Sequence, residues 1–148
     1  MFATILVGTD GSQTAQAALS EAAALATRLG SRLLIVSAYA PAFRREFSVA
    51  AHASSDEAQW MLGPREEVLA ILEHARQFVA QTGVAAVETF ARQGDPADAI
   101  LDVAEEERCD LIVVGNKGMT GAKRFLLGSV PNRISHHAPC SVLIVRTT

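Results

Sequence analysis

The feature that most restricts the fold is an alternation of short, unbroken apolar runs with longer stretches of helical periodicity. Phe2–Val7, Leu33–Ala38, Leu111–Val114 and Val142–Val145 are apolar at consecutive positions. Such runs suit strands buried on both faces of a sheet. Val84–Ala91 alternates weakly and reads as one more strand. Between the runs lie four helical stretches. Thr14–Leu29 ends at Gly30, and Arg65–Gln81 carries Glu66 and Glu67 in its first turn with Gly83 past its end. Asp95 caps a helix that has Pro96 in first position and runs to about Arg108, and Ser129–His137 is a short final helix. Residues 40 to 63, with Pro41, Ser54, Ser55, Gly63 and Pro64, lose periodicity and read as a long loop. The order β-α-β-α-β-α-β-α-β predicts an α/β fold, a doubly wound five-stranded parallel sheet with helices on both faces. One domain over residues 1–148 is expected, with ligand at the carboxyl ends of the strands near a topological switch point.

Composition narrows the function. An apolar share of 49% and a charged share of 20% describe an ordinary globular chain. A net charge of −3 argues against nonspecific nucleic-acid binding. No apolar run reaches the roughly 18 to 20 residues that span a bilayer. The start, MFATILVGTDG, lacks the basic region of a signal peptide, so a cytoplasmic location away from membranes is expected. Cys109 and Cys140 lack metal-type spacing and each precedes an apolar run. Inert thiols at strand starts are favoured over a redox pair, although neighbouring strands would bring the sulfurs near each other.

Chemistry concentrates in residues 115 to 130, GNKGMTGAKRFLLGSV, which follow a strand and feed a helix. Glycines at 115, 118, 121 and 128 permit close backbone approach, and successive N–H groups in such a loop form an anion nest. The helix opening at Gly128-Ser129 offers unpartnered N–H groups and a favourable dipole. Pro131, which has no N–H, suits its first turn. Both lysines of the chain, Lys117 and Lys123, fall in this segment, with Arg124 and Arg133 beside them. A local positive site in a net-acidic chain suits a small polyanion such as a nucleoside triphosphate. GxxxxGK[ST] is absent, and the first strand is followed by GTDGS rather than GxGxxG. The SGGxDS loop of ATP pyrophosphatases is absent as well.

Gly115-x-x-Gly118, nine further residues, then Gly128-Ser129 resembles the G-2x-G-9x-G-(S/T) pattern of ATP-binding universal stress proteins. The resemblance covers the whole chain. ILVGTDGS is similar to that family's first strand and aspartate turn, GDPADAILDVAEEERCDLIVVGNKG to its third helix and fourth strand, and SVPNRISHHAPCSVLIVR to its last helix and strand. It implies strand order 3-2-1-4-5 and ATP, with Mg2+, lying across the ends of strands 1, 2 and 4. Asp10 would line the adenosine side, Ala38 would offer backbone contacts to adenine, and Val114 and Gly115 would approach the ribose. Gly118, Gly128, Ser129 and Val130 would hold the phosphates. Residues 40 to 63 match the family poorly, and Pro131 stands where a small residue is expected.

Several other residues have a plain reading beside a functional one. Asp10 doubles as a turn residue, because Asp-Gly favours turns. His136 and His137 suit a helix end, and as neighbours they point to different faces, which disfavours a catalytic dyad. His52 and His74 read as surface residues, and Glu105-Glu106-Glu107 as a solvated face. Asp95 and Asp98 read as cap and first-turn anion. Trp60 and Met61 fit local packing better than an exposed partner site or a fold back over the nucleotide pocket. The final strand, Ser141–Arg146, is an apolar edge expected to pair in a symmetric homodimer. The favoured function is an ATP-dependent regulatory switch in the stress response, acting on an unknown protein partner. The alternatives are a slow ATPase or adenylyl-transfer enzyme, and a nucleotide-free structural or chaperone-like dimer. No general base and no acidic pair for Mg2+ stand in the loop, so no catalytic residue is assigned.

Overall fold

The computed structural model describes residues 1–41, 64–116 and 127–147. The strands are β1 (Thr4–Gly8), β2 (Arg32–Tyr39), β3 (Val87–Gln93), β4 (Leu111–Gly115) and β5 (Ser141–Val145). The helices are α1 (Gln13–Leu29), α2 (Arg65–Ala80), α3 (Pro96–Glu106) and α4 (Ser129–His137). All pairings are parallel, in the order β3-β2-β1-β4-β5. This is the expected doubly wound sheet.

Strand periodicity assigns each apolar side chain to one of two layers. Ile5, Val7, Leu33, Ile35 and Val113 point to one face and pack under α1 and α2. Leu6, Leu34, Val36, Ile112 and Val114 point to the other, under α3 and α4. Each fully buried leucine or isoleucine contributes about 1.5 to 3 kcal/mol relative to exposure. Alanines at 15, 18, 22, 23 and 26 form the buried stripe of α1 and let the helix lie close to the sheet. Ser12 caps that helix, its side chain accepting the Ala15 N–H, and Gly30 ends it at φ 68, a left-handed conformation in which glycine carries no Cβ penalty. Asp95 caps α3 by accepting the Asp98 N–H at 3.0 Å, and Pro96 takes the first helical position, as the sequence indicates.

Strand β3 begins at Val87, three residues later than the sequence pattern suggests, and runs on to Gln93. Its register with β2, Leu33↔Val87 through Tyr39↔Gln93, sets those bounds. It lies at an edge and is half exposed, which explains its weak apolar signal. The glutamates near the end of α3 do more than face solvent. Glu106 pairs with Arg92 of β3 at 2.6 Å and Glu107 with Arg32 of β2 at 3.5 Å.

Cys109 and Cys140 sit just before β4 and β5 and pack in the same layer, as unbonded thiols. Burial, followed by the nearby Cys140, pushes the Cys109 thiol up to about 11 from 9.0. The sign of the pH effect follows. Below pH 9.0 folded and unfolded chains both keep the proton, whereas between there and about 11 the unfolded chain loses it first. Stability contributed by the neutral thiol is therefore lost as pH rises through that window. Urea unfolding at several alkaline pH values should show a steeper decline for the native chain than for Cys109→Ala. Equal slopes would mean the thiol is not desolvated in the folded state.

Among the described residues, no helix is long and apolar enough to cross a membrane.

Candidate functional site

The crossover from β3 through α3 to β4 passes β2 and β1, so the chain leaves β1 and β4 in opposite directions. That is the switch point of the sheet. The turn after β1 is tightly determined. The Thr9 N–H donates to the Val36 carbonyl at 3.0 Å, Thr9 Oγ1 accepts from Gly11 N–H at 3.1 Å, and Asp10 Oδ1 accepts from Ser12 N–H at 2.9 Å. Gly11 has φ +81, and a Cβ there would lie 3.1 Å from Ile71 Cδ1, so the position is closed to larger residues on two counts. At Gly8 a Cβ would stand 2.6 Å from Ile100 Cδ1. The missing side chain lets α3 seat against the end of β1.

The chain leaves β4 at Gly115 and re-enters described structure at Leu127. Gly128 N–H donates to the Asn116 carbonyl at 2.9 Å, and α4 begins at Ser129. Gly128 supplies no side-chain cap. The first N–H groups of α4, from Ser129 and Val130, have no carbonyl partner within the helix. Pro131 lies in that first turn, as expected, and brings no donor.

These two turns face each other. Gly8, Ser12, Thr14 and Ala15 line one wall of a crevice, and Val114, Gly115, Val130 and Pro131 line the other. The amino ends of α1 and α4 thus converge between the carboxyl ends of β1 and β4. Both dipoles favour an anion there. A larger recess of about 480 Å³ lies on the α2 side of the β1 turn, lined by Thr9, Gly11, Gln13, Gln16, Ile71 and His74 among others. It meets the crevice at Ser12.

The sequence-predicted residues separate into groups. Val114, Gly115 and Val130 line the crevice, and Ser129 opens its helix. Ala38 is buried at the carboxyl end of β2. Asp10 stands in the turn two residues past Gly8, the last residue of β1 in register with β2. The Asp10 carboxylate is already engaged by Ser12, which is the turn role the Asp-Gly pair suggests. The Gly128 N–H is engaged by Asn116, which leaves Ser129 and Val130 as the backbone donors at the helix start. Gly118, Gly121, Lys117, Lys123 and Arg124 lie outside the described residues, as do His52, Trp60 and Met61. Arg133 does not serve as a cation of the crevice. Its guanidinium pairs with Asp95 at 2.8 Å and Asp98 at 2.5 Å, tying α4 to the start of α3. His136 and His137 lie exposed in the last turn of α4, and no cluster of three or more metal-ligating side chains occurs among the described residues.

Gly8 and Ser12 were not predicted as lining residues. A glycine closing an otherwise apolar strand and a serine in N-cap position were the available signals, but each also has an ordinary structural explanation.

A family model described as the universal stress protein family matches residues 1–146. The chain belongs to the universal stress protein family. Universal stress protein Rv1636 of Mycobacterium tuberculosis is 39% identical over 147 residues, covering 99% of this chain and 98% of that protein. Among solved structures, a universal stress protein in complex with cAMP superposes with a TM-score of 0.72 at 31% identity, covering 99% and 98% of the two chains. UspA from Lactobacillus plantarum gives 0.77 at 29% identity, covering 98% of each. In the sequence the glycine-rich segment of the family pattern lies between Gly115, which lines the crevice, and Gly128.

Proposed function

We propose that this chain is an ATP-binding regulatory protein of the stress response, one domain over its whole length, that works as a nucleotide-dependent switch. The observation that carries the reading is the convergence of two helix amino ends on a crevice bounded by Gly8, Gly115 and the start of α4. Backbone N–H groups of Ser129 and Val130, with the serine hydroxyl, would hold phosphate oxygens. Gly118 and the cations of residues 117 to 124 would complete the cradle, and Gly128 admits close approach because it has no Cβ. Val114 and Gly115 would border the ribose, and Asp10 and Ala38 the adenosine end. Mg2+ would accompany the triphosphate. The complex of a relative with cAMP supports an adenine nucleotide as the ligand class.

The residues fit such a group. The donors at the helix start are backbone N–H groups, suited to an anion, and no carboxylate is among the described residues that line the crevice; Ser129 lines the adjoining recess with Asp95 and Arg133. The chain's own part is to bind and orient; no residue is assigned a proton-transfer role. We place the protein in the cytoplasm as a homodimer through Ser141–Arg146. β5 is an edge strand, and Leu143 is exposed on it.

Thermal unfolding with and without millimolar Mg-ATP, with GTP and cAMP as comparisons, tests the ligand. Binding to the native state alone at 100-fold saturation adds about 2.7 kcal/mol, a shift on the order of 5 to 10 °C for a chain of this size. An ATP-selective shift supports the reading. A larger response to cAMP would reassign the ligand, and no shift in nucleotide-free protein would favour the structural dimer.

A further inference from the structure

Asn116 is one of only four polar residues buried among those described, and it stands immediately after β4. Its groups reach three parts of the fold. The backbone N–H donates to the Val145 carbonyl of β5 at 2.9 Å. The backbone carbonyl accepts from Gly128 N–H, also at 2.9 Å. The side-chain Oδ1 accepts twice from Thr147, from its N–H at 2.8 Å and from its hydroxyl at 2.9 Å. Asn116 therefore bonds both the residue before α4 and the chain after β5. A buried acceptor deprived of its donors is costly, so the two ends of the arrangement are energetically linked.

We propose that Asn116 is a positioning residue that couples nucleotide occupancy at the start of α4 to the chain after β5. A phosphate held by Ser129 and Val130 fixes Gly128, which fixes the Asn116 carbonyl. The same residue's Oδ1 then fixes Thr147. Coupling of this kind is reciprocal, so loss of the Thr147 bonds weakens ligand binding. The inference rests on the nucleotide reading above.

The test combines amide hydrogen exchange on the full chain with ATP titration calorimetry, for the native sequence, Asn116→Ala and Thr147→Ala. In the native protein, saturating Mg-ATP should slow exchange at Gly128 and Thr147 together. Asn116→Ala should bind ATP about tenfold more weakly, the equivalent of one or two lost hydrogen bonds, and ATP should no longer protect Thr147. Thr147→Ala keeps the N–H bond and should lose about two- to threefold. Ligand binding slows every amide that exchanges through global unfolding, so the protection that counts at Gly128 and Thr147 is that in excess of the change at the core amide of Ile112. The proposal is overturned if a folded Asn116→Ala binds within twofold of the native protein. It is also overturned if ATP protects Gly128 but not Thr147 in the native chain, a result that does not depend on any variant folding. A native protein that binds no ATP would instead overturn the nucleotide reading, and this coupling with it.

Discussion

Ile112→Ala is expected to lower the free energy of unfolding by about 2 to 5 kcal/mol, measured by urea denaturation. Ile112 has no exposed surface and lies on β4 between β1 and β5, in register with Leu6 of β1 and Val142 of β5. Its layer also holds Ile100 of α3 and Ile134 of α4, so truncation opens a cavity between the sheet and both helices. Rigid elements meet there on all sides, which limits relaxation and puts the cost toward the upper part of the range. Ile112→Val removes one methylene and should cost about 0.5 to 1.5 kcal/mol. The effect reaches the site, because Val114 continues the same face two residues on and lines the crevice. A loss below about 1 kcal/mol for the alanine variant would mean that the helices close over the gap, and that this layer does not hold the crevice rigid.

The second large effect is on binding. Gly118→Ala combined with Gly128→Ala should weaken ATP binding by about 10- to 100-fold, corresponding to one charge-assisted hydrogen bond lost or lengthened. Gly128 has φ −63 and ψ 169, a conformation that alanine adopts without strain. Its replacement therefore tests space beside the ligand rather than backbone freedom. Gly118 lies outside the described residues, and its part in the test rests on the family pattern. Circular dichroism and the melting temperature without ligand should stay close to the native values. Unchanged affinity in a folded double variant would remove the glycine segment as the phosphate-binding element.

The elements were largely legible because their signals are local. Ser12, Gly30, Asp95 and Pro96 act on the turn in which they stand, and the capping chemistry is independent of the rest of the chain. Continuous apolar runs at β1, β2 and β4 betray burial on both faces. Strand β3 was the weak point: at the edge its side chains are half exposed, and its bounds come from register with β2 rather than from its own composition. Of the residues named from the sequence, Val114, Gly115 and Val130 line the crevice, whereas the bonds around it were not legible. Arg133 looked like a cation for phosphate, yet it is committed to Asp95 and Asp98, residues 38 and 35 positions away. Gly128 looked like a donor to phosphate, yet its N–H closes on Asn116.

By itself, then, the sequence determined the order of elements, their caps, the parallel sheet and the position of the glycine segment after β4. These follow from periodicity and from turn chemistry within a few residues. Tertiary structure decided the long-range partners: the α3 carboxylates for Arg133, and both Gly128 and Thr147 for Asn116. The long-range pairs depend on which elements the sheet order brings side by side, and hydrogen-bond and ion-pair energies vanish over distances that local sequence does not encode.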